Sequence, residues 1–405
     1  MLRTMPKLSL LLGLPLLLAA CAAPATDAQP DESATPHGYV AGAQENPEPQ
    51  TGLLTFNRRT GEGQLLSLLS GQTSDAGTSG SIDAASLDGR YALLTTGNGI
   101  EVFDTGAWTV DHGEHKHYYS AEPGSAGIID VPDPGAVAGD GTAIAVFSRS
   151  GGYASVYKHK DLDAGSLAEA LRITTQPHDG MVVPYEGHYL ASVDSVSGAA
   201  GGVEVRDDSD STVLGRQECP GLSAHAATRV GVVFACTDGA LLVTEEDGTF
   251  AAEKIPYPDG GAALPPATVL GHRPGSNELA GPAGTTGIWH LDVPQRTWLH
   301  LPTPVPVTAA AAVGDGKRVL AVATDGSVLV LNPAAGEVTA QVPLLAPATE
   351  YPSGEARPQL RIDASRAYLS DPARSLVHEI DYADGIRVAR TFEVPSADLM
   401  LETGL

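Results

Sequence analysis

LDGRYALLTTGNGIEVFD (Leu87–Asp104) and GDGKRVLAVATDGSVLVLN (Gly314–Asn332) are one pattern written twice. Each runs from a polar turn into an apolar strand, through a glycine turn into an alternating strand, and stops at Asp or Asn. Alternation of period two bounded by Gly, Asp and Asn marks antiparallel hairpins. The pattern recurs at 139–158, 186–207 and 228–245, and more loosely at 274–292 and 362–381. A partial first copy joins YVAGA (Tyr39–Ala43) to GLLTFN (Gly52–Asn57). A spacing of about 40–50 residues is that of four-stranded propeller blades. The eight copies predict an all-β chain forming a single β-propeller over residues 37–405, with eight blades, or seven as the alternative. The first copy lacks an innermost strand, and ADLMLET (Ala397–Thr403) is spare. Pairing the two would close the ring and remove both open edges. DAGSLAEAL (Asp163–Leu171) is the one short helix candidate, expected in a loop between blades.

The N-terminus reads as targeting. Arg3 and Lys7 precede LSLLLGLPLLLAA (Leu8–Ala20), an apolar run too short to span a bilayer comfortably. It ends in Leu18, Ala19, Ala20 and Cys21, which resembles the lipobox of bacterial lipoproteins. Residues 1–20 are therefore expected to be a lipoprotein signal peptide, and Cys21 to carry lipid. Residues 21–36 are small, polar and Pro-rich, too poor in apolar groups to offset ordering entropy. They read as a flexible tether holding the domain on the extracytoplasmic face of the membrane, or in the periplasm. With Cys21 assigned to lipid, Cys219 and Cys236 remain, and an even remainder in an oxidising compartment suggests a disulfide.

The 24 basic residues fall to 22 without Arg3 and Lys7, so against 49 acidic ones the mature chain carries −27 with histidine neutral. Such a surface repels phosphate backbones, which argues against nucleic acid as a partner. The chain is read as a monomer that meets the membrane through its anchor.

Three of the twelve histidines, His112, His115 and His117, fall in DHGEHKHYY (Asp111–Tyr119). In an extended segment His115 and His117 point to one face, close enough to share an ion. Neutral imidazole is a strong zinc ligand, and Asp111 or Glu114 is placed to orient a ring or add an oxygen. Because the cluster follows the strand at 99–104, it is expected on or just after the outer strand of its blade, before the crossing to the central channel. Tyr118 and Tyr119 would wedge that crossing. His178, in PHDG (Pro177–Gly180), stands before another inner strand, and His225 lies on the inner strand of the next blade. Four histidines are thus expected to converge at one channel mouth. His188, His272, His290, His300 and His378 read as structural.

The signal segment, the repeats, the HGEHKHYY run, the PHDG turn and the CPGL…C segment (Cys219–Cys236) together resemble the AztD family of bacterial zinc metallochaperones, over nearly the whole mature chain. That resemblance implies a β-propeller outside the cytoplasmic membrane that delivers Zn2+ to the solute-binding protein of a zinc ABC transporter. His115 and His117 match the family's paired histidines, and His178 matches its single histidine before a glycine. The family pattern has histidine directly after the leucine; here Ser223 and Ala224 separate Leu222 from His225. The fourth ligand is therefore open between His225, Glu122 or Asp179, and water.

Other function classes have less behind them. A metal-dependent hydrolase or lactonase needs an open zinc position and a general base. There is no GxSxG elbow, and the nearest approach to HExxH ends in Tyr382. A metal-free interaction propeller is separated from both by metal content. The acidic turn Asp207–Asp210 lacks the Gly and distal Glu of an EF-hand loop.

Overall fold

The structure is a computed structural model describing residues 38–77, 80–112, 115–194, 198–350, 357–395 and 397–405. The expected signal peptide, Cys21 and the tether lie outside the described residues, as does Glu114.

The hairpin pattern becomes a series of small antiparallel sheets. Counted outward from the innermost strand, the second strand is the most deeply buried in six of these sheets. Gly52–Phe56, Tyr91–Thr96, Ala143–Ser148, Val232–Cys236, Val319–Ala323 and Ala367–Asp371 are buried at every position. Burial on both faces means each sheet is sandwiched between two others. Outer strands face neighbours on one side only and alternate accordingly, as Glu337–Pro343 does. Leu93 and Val102 pack on Ile144 and Val146 between the second and third sheets. Val233 and Leu242 pack on Leu279 and Trp289 between the fifth and sixth. Tyr368 and Val377 of the eighth sheet pack on Leu53, Leu66 and Met400 of the first. Small four-stranded antiparallel sheets packed face to face are what a β-propeller requires.

The glycine that opens the third strand recurs for a steric reason. At Gly99, Gly239 and Gly287 φ is 116°, 138° and 143°. A Cβ there would sit 2.2–2.3 Å from a carbonyl oxygen of the outer strand. Only glycine allows both the backbone angle and the approach.

Three expectations are corrected. Tyr39–Ala43 is not a strand of the first sheet. Gly52–Phe56 pairs with Gly63–Ser67 on one edge and, as expected, with the C-terminal Leu399–Thr403 on the other. The helix is His159–Asp163, one turn earlier than the composition suggested. Gly165, at φ 78°, stops it, and Ala170 already donates to the Val156 carbonyl as the chain extends into Leu171–Thr174. Finally, the histidine cluster does not sit at the crossing between blades but in a separate three-stranded sheet, of order Gln44–Asn46, Lys116–Ser120, Ala107–Asp111.

Cys219 and Cys236 form a disulfide with Cα atoms 5.1 Å apart, tying the end of the fourth sheet to the second strand of the fifth. No helix among the described residues is long and apolar enough to cross a membrane.

Candidate metal centre

The cluster stands on a hairpin, Ala107–Asp111 with Lys116–Ser120, inserted between the third strand of the second sheet (Gly99–Asp104) and its outer strand (Gly124–Ile129). Its base is fixed by aromatic packing. Trp108 stacks on fully buried Tyr119, with centroids 5.4 Å apart, and the Arg90 guanidinium lies 4.1 Å from the Trp108 ring. Arg90 donates from Nε to Asp104 Oδ1 at 2.6 Å, anchoring the hairpin to its parent sheet. Tyr119 thus serves as a core residue under the histidines. The chain N-terminal to the first sheet supplies the third strand. Gln44–Asn46 pairs with Lys116–Ser120 in a register that sets Glu45 opposite Tyr119, and Asn46 Nδ2 donates to Ser120 Oγ at 2.9 Å.

At the hairpin tip the His112 N–H donates to the His115 carbonyl, 3.0 Å. Strand alternation puts His117 on the face of Tyr119, whose ring stacks under it at 6.2 Å. The ring centroids of His112, His115 and His117 are 4.8–5.2 Å apart. One ligand nitrogen from each lies within 4.8 Å of the others. His115 Nε2 and His117 Nε2 are 3.0 Å apart. Tetrahedral zinc with bonds of about 2.0–2.1 Å holds its nitrogens roughly 3.3–3.4 Å apart. Small rotations of exposed rings therefore suffice to reach coordination geometry. His112 and His115 are exposed and His117 half-buried, so the trio faces solvent.

The Glu45 carboxylate lies 2.6 Å from His117 Nδ1. A carboxylate only accepts, so neutral His117 carries its proton on Nδ1 and turns the Nε2 lone pair toward the other two rings. This is the carboxylate–histidine arrangement that fixes tautomer and ring orientation at zinc sites. Glu45 was not among the residues singled out from the sequence. It lies 72 positions from His117, and no local motif marks it.

The remaining candidates lie elsewhere. His178 is buried before the strand Val182–Tyr185. Its Nδ1 donates to the Gln176 carbonyl at 2.7 Å, its Nε2 contacts Ser192 Oγ at 2.8 Å, and its ring packs edge-on to Phe147. Both nitrogens are committed, so His178 is a satisfied turn residue here. His225 sits on the innermost strand of the fifth sheet, Ala224–Ala227, where burial, with His272 adding, pushes its pKa down to about 4. Neither belongs to the trio, and nor do Glu122 and Asp179. Convergence of four histidines at one mouth is thus replaced by three on one hairpin. The inserted strands occupy the turn between the third and fourth strands of their sheet. In an antiparallel sheet that turn is at the opposite edge from the start of the first strand, the kind of position His178 occupies in its own sheet.

No protein-family model matches the chain. A curated relative, the zinc chaperone AztD of Citrobacter koseri, is 24% identical over 216 residues, covering 51% of this chain and 50% of that protein. The match thus spans about half the length of the relative. The crystal structure of C. koseri AztD superposes with a TM-score of 0.77 at 19% identity, covering 88% of this chain and 99% of that one. The apo structure of the same protein gives 0.76 at 19% identity, with 88% and 98% covered. Dihydro-heme d1 dehydrogenase NirN gives 0.57 at 12% identity, with 89% and 76% covered. The chain resembles the zinc chaperone AztD in sequence across half its length and in fold across most of it.

Proposed function

We propose that this protein is an extracytoplasmic zinc carrier, anchored by lipid at Cys21, that holds one zinc ion on the His112/His115/His117 hairpin. In this reading the eight successive sheets are the blades of a closed propeller, sealed by Leu399–Thr403. The chain passes its ion to the solute-binding protein of a zinc ABC transporter.

The carrying observation is a three-histidine group on a solvent-facing tip, with a carboxylate setting one ring. A carrier needs a site that holds its ion yet releases it to a competing set of ligands. Three imidazoles leave one position of a tetrahedron for a partner's ligand, and exposure at His112 and His115 lets ligands be exchanged one at a time. The likeness to a zinc chaperone in half the sequence supports the same reading. A hydrolase would need a free general base beside the ion, whereas Glu45 is engaged by His117 and Asp111 by Lys116.

The test is transfer. Zinc-loaded protein mixed with the apo solute-binding protein should lose its ion faster than it loses it to a chelator that does not touch the hairpin. A transfer rate equal to free dissociation would make the protein a store or sensor instead of a carrier.

A further inference from the structure

A second site lies outside the hairpin, where the innermost strands of the first, second, seventh and eighth sheets meet residues 269–274. Ser86, His272, Thr308, Arg361 and Glu402 line a cavity of about 580 Å³, with Arg357 exposed on its rim. That volume is in the range of small-molecule sites.

Its charges are unusual for so acidic a chain. Arg361 donates from Nη1 to the Leu360 carbonyl at 3.0 Å, and among the described residues its one side-chain hydrogen bond is to the Gln359 amide oxygen at 3.4 Å. No ion pair joins Arg357 or Arg361 to a carboxylate among the described residues, although fifteen ion pairs there cover most of the other arginines. Burial lowers the pKa of Arg361, the signature of a cation held away from bulk water. A half-buried guanidinium without an ion pair is costly unless something of opposite charge compensates it. Glu402 lies near enough to attract it, but burial suppresses the charge of Glu402. It is 6% exposed, with Oε1 buried and without a hydrogen-bond partner. Burial, with the charge of Asp363 and a hydrogen bond to it adding, pushes its carboxyl up to about 8, so near neutrality it is mostly protonated. Burial likewise lowers His272, leaving a neutral imidazole on the wall. The cavity therefore presents two guanidiniums, one buried acid with an unused oxygen, and neutral polar groups. It fits an anion and disfavours a metal ion, for which a third carboxylate or histidine ligand is missing among the described residues.

We propose that this cavity binds a small dicarboxylate, one carboxylate paired with Arg361 and the other paired with Arg357 at the rim. Guanidinium and carboxylate match bidentately, and a planar pair of acceptors suits two separated arginines. The site is independent of the zinc reading, and its lining shares no residue with the hairpin.

Calorimetric titration of the tag-free mature protein with succinate, acetate, 1,4-diaminobutane and zinc chloride tests it. Succinate should bind once per chain and roughly tenfold or more tighter than acetate, as a second charge-assisted pair implies. Arg361→Met should weaken succinate by roughly tenfold or more. Arg357→Gln, on the exposed rim where folding is not at stake, should shrink the preference for succinate over acetate. His117→Ala should leave succinate binding unchanged while impairing zinc. The proposal is overturned if succinate gives no binding heat up to about 10 mM, a concentration beyond any useful affinity. It is equally overturned if both arginine variants bind succinate like the parent protein, or if diaminobutane or zinc occupies the cavity in preference.

Discussion

Replacing Glu45 with alanine should weaken zinc binding without unfolding anything. The Glu45 side chain is 46% exposed and touches His117 at 2.6 Å, while the strand that carries it is held by backbone pairing to Lys116–Ser120. Loss of the carboxylate frees the His117 ring to rotate and to move its proton between nitrogens. It also lowers the basicity of the nitrogen facing the ion. Loss of such outer partners typically costs 10–100-fold in metal affinity. Half-exposure and solvent screening put this case at the lower end, about tenfold or roughly 1.4 kcal/mol. Glu45→Gln keeps an acceptor and should fall between parent and alanine variant. The assay is competition with a chromophoric chelator, run beside a thermal melt of the apo protein. Zinc affinity within about twofold of the parent, with an unchanged melt, would mean that Glu45 does not set the ring, because even the weakest such partner is worth more than that.

Reducing the Cys219–Cys236 disulfide, or replacing both cysteines with alanine, should lower stability by about 3 kcal/mol in the chain-entropy treatment of a loop of this length; denaturant unfolding of the two forms checks it. The Glu402 carboxyl is raised from 4.5 to about 8 on folding, so the folded state holds its proton more tightly. Its contribution is present in full below the unfolded value and is lost as pH rises through about 8. Unfolding midpoints should therefore fall from pH 5 to pH 8 more steeply in the parent than in Glu402→Gln, and parallel profiles would show that the acid ionises freely in the fold. Cys21→Ser should release the protein from the membrane fraction into the soluble one, as read by fractionation and blotting.

The repeat was legible because strand alternation and glycine turns are local. Gly99, Gly239 and Gly287 announce the same backbone angle wherever they occur. The disulfide was legible for a similar reason, since parity alone left one pair. What failed was long-range placement. The sequence around Asp111–Tyr119 shows three histidines at extended spacing, but nothing in it says that the flanking strands leave the parent sheet and pair with Gln44–Asn46. Glu45 could not be found from the histidines for the same reason. The helix at His159–Asp163 was misplaced because Ala, Leu and Glu at 167–171 favour helix locally. Pairing of Leu171–Thr174 with Tyr153–Lys158 claims that stretch instead. His178 looked like a ligand because a lone histidine before a glycine carries no sign of its hydrogen bonds. A Cβ at Gly180 would lie 2.2 Å from the His178 ring, so packing alone accounts for the glycine.

Zinc titration of tag-free mature protein against a competing chelator, with single alanine variants at His112, His115, His117, His178, His225 and His300, tests the metal site most directly. One zinc per chain is predicted, with affinity falling roughly tenfold or more at His112, His115 and His117, consistent with removing a first ligand. His178→Ala, His225→Ala and His300→Ala should bind zinc like the parent. Undiminished affinity in the three hairpin variants, or affinity lost at His178 or His225 instead, would contradict a site built on the hairpin.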